Sequence, residues 1–137
     1  MIASLLLPLL LQSAEPPVPE WNCDEPLVQQ EMNWCAAREF EIADDRLNSQ
    51  WKEVAALMKQ RDADFATYGA DADVREGFFE SLLEAQRGWL RYRDAHCRVD
   101  GYAMRGGSME ALLVNTCKAR LTRIRTEELR ELIVTAG

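Results

Sequence analysis

Residues 74–99 read VREGFFESLLEAQRGWLRYRDAHCRV, and their apolar and aromatic side chains recur at steps of three and four residues. This is the spacing of one face of an α-helix, so it predicts a helix with a single inward-facing stripe. The predicted stripe consists of Val74, Phe78, Leu82, Ala85, Trp89, Tyr92, His96 and Val99.

Two further segments show helical spacing, and neither competes with a β-type alternation. A five-residue step between Cys35 and Phe40 interrupts the first segment, so both a straight helix and a bend or stutter stay open there. The sequence predicts an all-α antiparallel bundle of about three helices, the first of them the longest. Predicted inward residues are Val28, Met32, Cys35, Phe40, Ala43, Leu47, Trp51, Val54, Met58 and Phe65 in the first segment, and Leu113, Cys117, Leu121, Ile124 and Leu132 in the third, which spans residues 109–133.

Small and polar residues mark the expected helix ends. Gly69 suits the left-handed position after a helix, and the pair Gly106-Gly107 is expected to form a tight turn. That pair lacks the lysine and the spacing of a nucleotide-binding loop. The expected N-caps are Asp24 with Pro26 in the first turn, then Asp71 or Asp73, then Ser108.

The N-terminus indicates export. Residues 1–14, MIASLLLPLLLQSA, read as a signal peptide, although no Lys or Arg precedes the apolar run. This run is far shorter than the ~20 apolar residues that span a bilayer. Residues 15–22 form a Pro-rich linker, and residues 23–133 the helical domain. We therefore expect a periplasmic or secreted protein without stable membrane insertion, while an apolar helix retained in the fold is the weaker alternative.

Four cysteines in a short exported chain imply two disulfides, with three possible pairings. We favour Cys23–Cys35, which ties the leading segment to the first helix, and Cys97–Cys117, which closes the hairpin around the glycine pair. The long gaps between cysteines and the single histidine argue against zinc, and the absence of a Cys-x-x-Cys motif argues against redox catalysis. No metal or cofactor is expected.

The formal charge of −7 disfavours nucleic acid and anionic membranes as partners. Residues 1–85 carry a net −11 and residues 86–137 a net +4. The two halves either complement each other inside the bundle, which we prefer, or leave an acidic face for a basic protein.

Motifs along the chain resemble the LprI-like N-terminal domain family of exported bacterial proteins. They are the four cysteines, the segment EMNWC at 31–35, Asp44 with Asn48, QRGWLRYRDAHC at 86–97, and LTR at 121–123. The resemblance covers roughly residues 22–130. The family is named after a lipoprotein that inhibits lysozyme, and most members have no established activity. The present chain departs from that lipoprotein because it lacks the lipid-attachment cysteine, so we expect a soluble protein once the export segment is cleaved.

We interpret the polar family residues as structural. Gln86, Trp89 and Arg93 share a helical face and are expected to bridge helices, with Asp94 pairing along the helix to Arg91 or Arg98. A site in which Arg93 binds a ligand carboxylate is the weaker alternative. His96 is expected in the interior, and no nucleophile motif accompanies it. The residues assigned to this motif are Asn33, Asp44, Asn48, Gln86, Trp89, Arg93 and Asp94, of which Asn33, Asp44 and Asn48 are the expected acceptors on the first helix.

The sequence therefore predicts a non-catalytic binding protein, with lysozyme as the expected cationic partner because of the family name, export and acidity. The alternative is an envelope interaction module without lysozyme contact, using aromatic residues such as Trp21 or Trp34. An enzyme is the weakest hypothesis, since no catalytic constellation can be assembled. The first-helix residues expected to steer a basic partner are Glu31, Glu39, Asp45 and Glu53.

Overall fold

The computed structural model describes residues 21–68 and 73–135, which form three α-helices and, within those ranges, no strand. The helices are α1 (Gln29–Thr67), α2 (Phe78–Gly101) and α3 (Glu110–Val134), with a short 3₁₀ turn at Tyr102–Met104 after α2. The predicted all-α fold with a long first helix is confirmed. The predicted signal peptide and residues 15–20 of the predicted linker lie outside the described residues.

Helix α1 is continuous over its 39 residues, including the five-residue step between Cys35 and Phe40. Ala36 is buried beside Cys35 and supplies the missing inward position, so the buried face continues through Phe40 to Ala43. The step in the sequence pattern is thus filled by a small residue within an uninterrupted helix.

Contacts between the helices define their directions. Asp62 near the end of α1 binds the start of α2, and Cys97 in α2 is bonded to Cys117 in α3. Helix α2 is therefore antiparallel to both neighbours, while α1 and α3 run in the same direction. The core lies between all three helices and contains Leu47, Val54, Met58, Leu82 and Leu129, and a second cluster contains Cys97, Cys117 and Leu121.

The predicted inward stripe of α2 is wrong in its rotation about the helix axis. The helix begins at Phe78, so Val74 precedes it and is 98% exposed, while Tyr92 and Val99 are also exposed. Gln86 and Arg93, which the family motif indicated as bridging residues, face the interior, and their burial turns the predicted apolar stripe partly outward. The buried residues of α2 are Leu82, Gln86, Arg93, Cys97 and Gly101.

The other two helices need smaller corrections. In α1, Val28 and Phe65 are exposed at the helix ends, where no neighbouring helix covers them fully. In α3, Ile124 and Leu132 are exposed, and Leu129 occupies the core in their place. The buried face of α3 is partly polar, with Thr122 and Thr126 inside, which is why apolar spacing alone misplaces it.

The predicted N-caps Asp24 and Ser108 do not cap. Val28 and Met109 occupy those positions without a side-chain cap, and the carboxylate of Glu31 accepts the Leu27 N–H just before α1. Ser108 instead offers its carbonyl to the side chain of Asn33.

Two of the remaining predicted helix signals lie in residues 69–72, outside the described residues. They are Gly69 and Asp71. Asp73 accepts the N–H of Arg75 in the turn before α2 rather than capping the helix. Gly106 has φ 77°, the left-handed conformation that favours glycine, and forms the turn before α3 as expected.

Both favoured disulfides are confirmed. Cys23–Cys35 joins the segment before α1 to its second turn, and Cys97–Cys117 joins α2 to α3. The enclosed sequence separations are 12 and 20 residues. Each bond of this loop length is worth about 3 kcal/mol through restriction of the unfolded chain.

The N-terminus of α2 is capped by a residue of α1. The Asp62 carboxylate accepts the backbone N–H groups of Phe78 at 2.7 Å and Phe79 at 3.0 Å. A carboxylate at this end also interacts favourably with the helix dipole. Asp62 therefore fixes where α2 begins relative to α1.

We expect Asp62→Ala to lower the free energy of unfolding by about 1–2 kcal/mol, because two N–H groups lose their acceptor. Urea denaturation followed by circular dichroism measures this loss. The matched control is Asp64→Ala, since the exposed Asp64 carboxylate bonds only the side chain of Gln60. Equal losses in the two variants would show that the hydrogen bonds from the start of α2 to Asp62 add nothing to the free energy of unfolding.

Candidate functional site

The polar family residues centre on the guanidinium of Arg93. Arg93 points inward from α2 and is 6% exposed. Its guanidinium carbon lies 5.1 Å from the ring centroids of both Phe40 and Trp89. Two aromatic faces thus contact the buried cation, an arrangement that is attractive because each ring face carries negative charge density.

The hydrogen bonds of Arg93 reach both other helices. Its Nη1 donates to Asp44 Oδ1 at 3.0 Å in α1 and to Thr122 Oγ1 at 3.3 Å in α3. Its Nε donates to Asp94 Oδ1 at 3.0 Å in its own helix. One side chain therefore connects all three helices.

The charges around Arg93 balance. Lys118 Nζ lies 3.6 Å from Asp94 Oδ1 and 5.5 Å from the centroid of Phe40. Two cations face the two carboxylates of Asp44 and Asp94. The arrangement is neutral as a unit, and it leaves no excess positive charge to attract a ligand carboxylate.

The expected pairing of Asp94 with Arg91 or Arg98 is wrong. Asp94 contacts Arg93 and Lys118 instead. The side chain of Asp94 lies at the edge of the interface with α3, whereas Arg91 and Arg98 are exposed.

Of the three expected acceptors on α1, only Asp44 contacts Arg93. Asn48 Nδ2 donates to Asp44 Oδ2 at 3.3 Å and so supports that carboxylate from one turn away. Asn33 lies further along α1, where its Nδ2 donates to the Ser108 carbonyl at 2.9 Å. Asn33 therefore ties α1 to the turn before α3 and takes no part in the Arg93 cluster.

Gln86 is buried two turns before Arg93 and has a separate partner. Its Oε1 accepts the Nε of Arg125 at 3.0 Å, and Arg125 also pairs with Glu128. The sequence did not predict the α3 partners of Arg93 and Gln86, which are Thr122 and Arg125. The signal was the helical spacing of Lys118, Thr122 and Arg125, a polar stripe of the kind that usually faces solvent.

His96 is not an interior residue, contrary to the prediction. It is exposed and stacks on Tyr92 with ring centroids 5.2 Å apart. The rotation of α2 that buries Arg93 brings His96 to the surface. Within the described ranges no group of three His, Cys, Asp or Glu side chains could hold a metal ion.

Two open grooves follow the helix interfaces. One, of about 660 Å³, lies between α1 and α3 and carries charges of both signs, among them Asp45, Glu53 and Arg130. The other, of about 820 Å³, lies where the end of α1 meets the start of α2. At its edge the pKa of Asp73 is lowered to about 2, because the side chain and the backbone N–H of Arg75 donate hydrogen bonds to it.

The acidic residues of α1 divide into two kinds. Glu39 pairs with Arg123 of α3 at 2.8 Å, and Glu31 is bonded by a backbone N–H, so both are engaged within the chain. Asp45 and Glu53 are exposed and take part in no ion pair with any described residue, although Glu53 Oε2 accepts a hydrogen bond from the exposed side-chain amide of Gln50 at 3.2 Å. The Glu39–Arg123 pair lies at the surface, whereas Arg93 and Asp44 join the oppositely charged halves at a buried guanidinium.

Trp89 joins the two core clusters and covers one face of the Arg93 guanidinium. We expect Trp89→Ala to cost about 3 kcal/mol in the free energy of unfolding, because it leaves a cavity and uncovers the buried cation. Chemical denaturation measures this cost. The control is Tyr68→Ala, an aromatic residue that is 88% exposed and should change stability by less than about 0.5 kcal/mol. A similarly small cost for Trp89→Ala would contradict the assignment.

Three comparisons with known proteins found similar sequences or structures. A family model described as lysozyme inhibitor LprI matches residues 23–129. An uncharacterised protein of Rhizobium meliloti (strain 1021) is 41% identical over 118 residues, which cover 86% of this chain and 83% of the relative. The crystal structure of a DUF1311 family protein from Pseudomonas putida KT2440 superposes with a TM-score of 0.59 and 27% identity, covering 78% of this chain and 94% of that chain. The chain belongs to the family described as lysozyme inhibitor LprI.

Proposed function

We propose that the protein is an exported, non-catalytic binding protein that inhibits lysozyme by covering its substrate cleft. The observation that carries this proposal is the family match, which spans residues 23–129 and thus nearly all of the helical domain. The relative from Rhizobium meliloti has no assigned activity, so the inhibitory role rests on the family description.

The geometry around Arg93 supports a binding role without chemistry. Its polar groups bond one another, and within the described ranges every buried side-chain nitrogen or oxygen has a hydrogen-bond partner. Active sites usually keep a reactive polar group free to meet a substrate. His96, the residue best suited to proton transfer near neutral pH, stacks on a surface tyrosine away from this cluster.

Two disulfides support an extracytoplasmic location, because such bonds persist in oxidising compartments. We propose that residues 1–14 are the signal peptide and residues 15–22 a linker to the domain at 23–133. Within the described ranges, no helix is both long and apolar enough to cross a membrane.

Asp45 and Glu53 are the best candidates for steering a basic enzyme. Both are exposed at the groove between α1 and α3, and neither is neutralised by an ion pair with a described residue. Of the other two residues that the sequence suggested, Glu39 pairs with Arg123, and Glu31 is half-buried and accepts the Leu27 N–H. A rigid, disulfide-bonded scaffold also loses little conformational entropy on binding.

We expect Asp45→Lys with Glu53→Lys to slow association with a cationic lysozyme about three- to tenfold at low salt, because steering acts on the encounter rate. Surface plasmon resonance in about 50 mM salt measures this rate, and the difference should shrink toward 0.5 M salt. A cell-wall lysis assay tests whether binding inhibits the enzyme. The unfolding midpoint should stay nearly unchanged.

The matched control is Glu80→Lys with Asp100→Lys, which changes net charge equally on exposed positions of α2. Equal slowing in both double variants would show that only total charge matters. No binding of the unaltered protein in about 50 mM salt, where attraction is weakly screened, would contradict the proposed function and favour an envelope module with a different partner.

A further inference from the structure

Helix α2 carries a second regular seam beside its buried face, and most of this seam is exposed. Its positions alternate by three and four residues, the heptad spacing of the contact line in a coiled coil. At its N-terminal end Phe78 packs edge-to-face on Phe65 of α1, with ring centroids 6.3 Å apart. From Gly88 onward, no hydrogen bond or aromatic contact among the described residues joins the seam to another helix. The seam consists of Phe78, Ser81, Ala85, Gly88, Tyr92, Ala95 and Val99 of α2, and of Tyr102 directly after the helix.

The large residues of this seam are open to solvent. Tyr92 is 53% exposed, Val99 68%, Phe78 44% and Tyr102 40%. At Gly88, a Cβ atom would meet nothing within 4 Å. A line of aromatic and aliphatic side chains with this exposure marks an interaction surface.

We propose that this seam binds α2 of a second copy of the chain in antiparallel orientation. In an antiparallel coiled coil, each residue before a three-residue step of the seam faces a residue before a four-residue step in the other helix. Here the two residues that face each other have numbers that sum to 180. Tyr92 then packs over Gly88 of the second copy, and Val99 over Ser81. The two remaining layers pair Ala85 with Ala95 and Phe78 with Tyr102.

Size complementarity selects this orientation. Tyr92 and Val99, the large residues between the two outer Phe78–Tyr102 layers, each face a small residue of the second copy. A parallel, in-register pairing would instead oppose Tyr92 to Tyr92 and Gly88 to Gly88. Such layers alternate between crowding and empty space.

Charges beside the seam favour the same orientation. Glu84, Arg91 and Arg98 flank it at heptad spacing, and none of them forms an ion pair with a described residue. In the antiparallel pairing, flanking positions of the same kind lie side by side, so Glu84 lies beside Arg98 of the second copy, twice by symmetry. Arg91 meets its own counterpart at the axis, a single like-charge contact against two opposite-charge contacts. In the parallel arrangement Glu84 would face Trp89, with no charge pair.

The proposed interface is separate from the proposed lysozyme-binding surface. The groove with Asp45 and Glu53 is lined by residues of α1 and α3 only. Loss of self-association and loss of lysozyme binding are therefore distinguishable outcomes.

Analytical ultracentrifugation of the exported form tests the self-association. We expect about twice the monomer mass for the unaltered protein and the monomer mass for Gly88→Glu, whose side chain has room in one copy but collides with Tyr92 of the other. Glutamate also favours helix over glycine, so the variant should fold. The control Ala56→Glu, at an exposed position of α1, should keep the dimer mass. A monomeric unaltered protein at millimolar concentration would overturn the proposal.

Cross-linking tests the orientation. Ala85→Cys and Ala95→Cys proteins, equilibrated as a mixture and oxidised, should form a disulfide between copies. Each variant alone should form none, because its two new thiols are offset by ten residues, about 15 Å, along the helix axis. The native cysteines are all disulfide-bonded and do not compete. Cross-linking of each variant alone would indicate a parallel pair and overturn the antiparallel assignment.

Discussion

The buried guanidinium of Arg93 constrains the packing of all three helices. A buried charge costs several kcal/mol unless its partners are well placed, and those partners lie on three separate helices. Phe40 and Asp44 of α1, Thr122 of α3 and Trp89 of α2 must all reach the same point. Registers that separate any of them from Arg93 leave a cation without compensation. The cluster therefore selects one packing arrangement more than it adds net stability.

The burial of Arg93 also decides which face of α2 is left for other molecules. With Gln86 and Arg93 inside, the helix turns so that Tyr92, His96 and Val99 meet solvent. The same rotation that completes the internal cluster opens the seam proposed for a second copy. Helices α1 and α3 keep their own outer groove, which is available to a different partner. The burial of Gln86 and Arg93 and the exposure of the proposed seam are therefore two consequences of the same rotation of α2.

Much of the fold could be predicted from the sequence because local signals were strong. The proline-free stretch from residue 27 onward and the three periodic segments indicate three long helices, and cysteine spacing indicates both disulfides. For the rotation of α2 the sequence contains two conflicting signals. Apolar periodicity places Tyr92, His96 and Val99 inside, whereas the family motif places Gln86 and Arg93 on a face that bridges helices, and the structure follows the motif. The cap of α2 could not be predicted, because Asp62 lies 16 residues before Phe78 and acts across the helix interface.

The candidate site, like the fold, could be predicted from the sequence only in part. Family motifs drew attention to Trp89, Arg93 and Asp44, and the motif LTR at 121–123 contains Thr122, but no sequence signal paired Thr122 with Arg93. Lys118 and Thr122 read as an ordinary polar face until α2 is placed against them. Pairings between helices depend on register, and register is set by packing as a whole, which one sequence does not display.

A double-mutant cycle on Arg93 and Asp44 tests most directly whether the buried cation joins the helices. Arg93→Met, Asp44→Asn and the double variant are unfolded by urea, and their free energies of unfolding are compared. We expect a coupling energy of at least about 1 kcal/mol. The exposed pair Arg38–Glu41 serves as the reference and should give about 0.3–0.5 kcal/mol. Additive effects for Arg93 and Asp44, with no coupling beyond that of the exposed pair, would contradict the role assigned to the cluster.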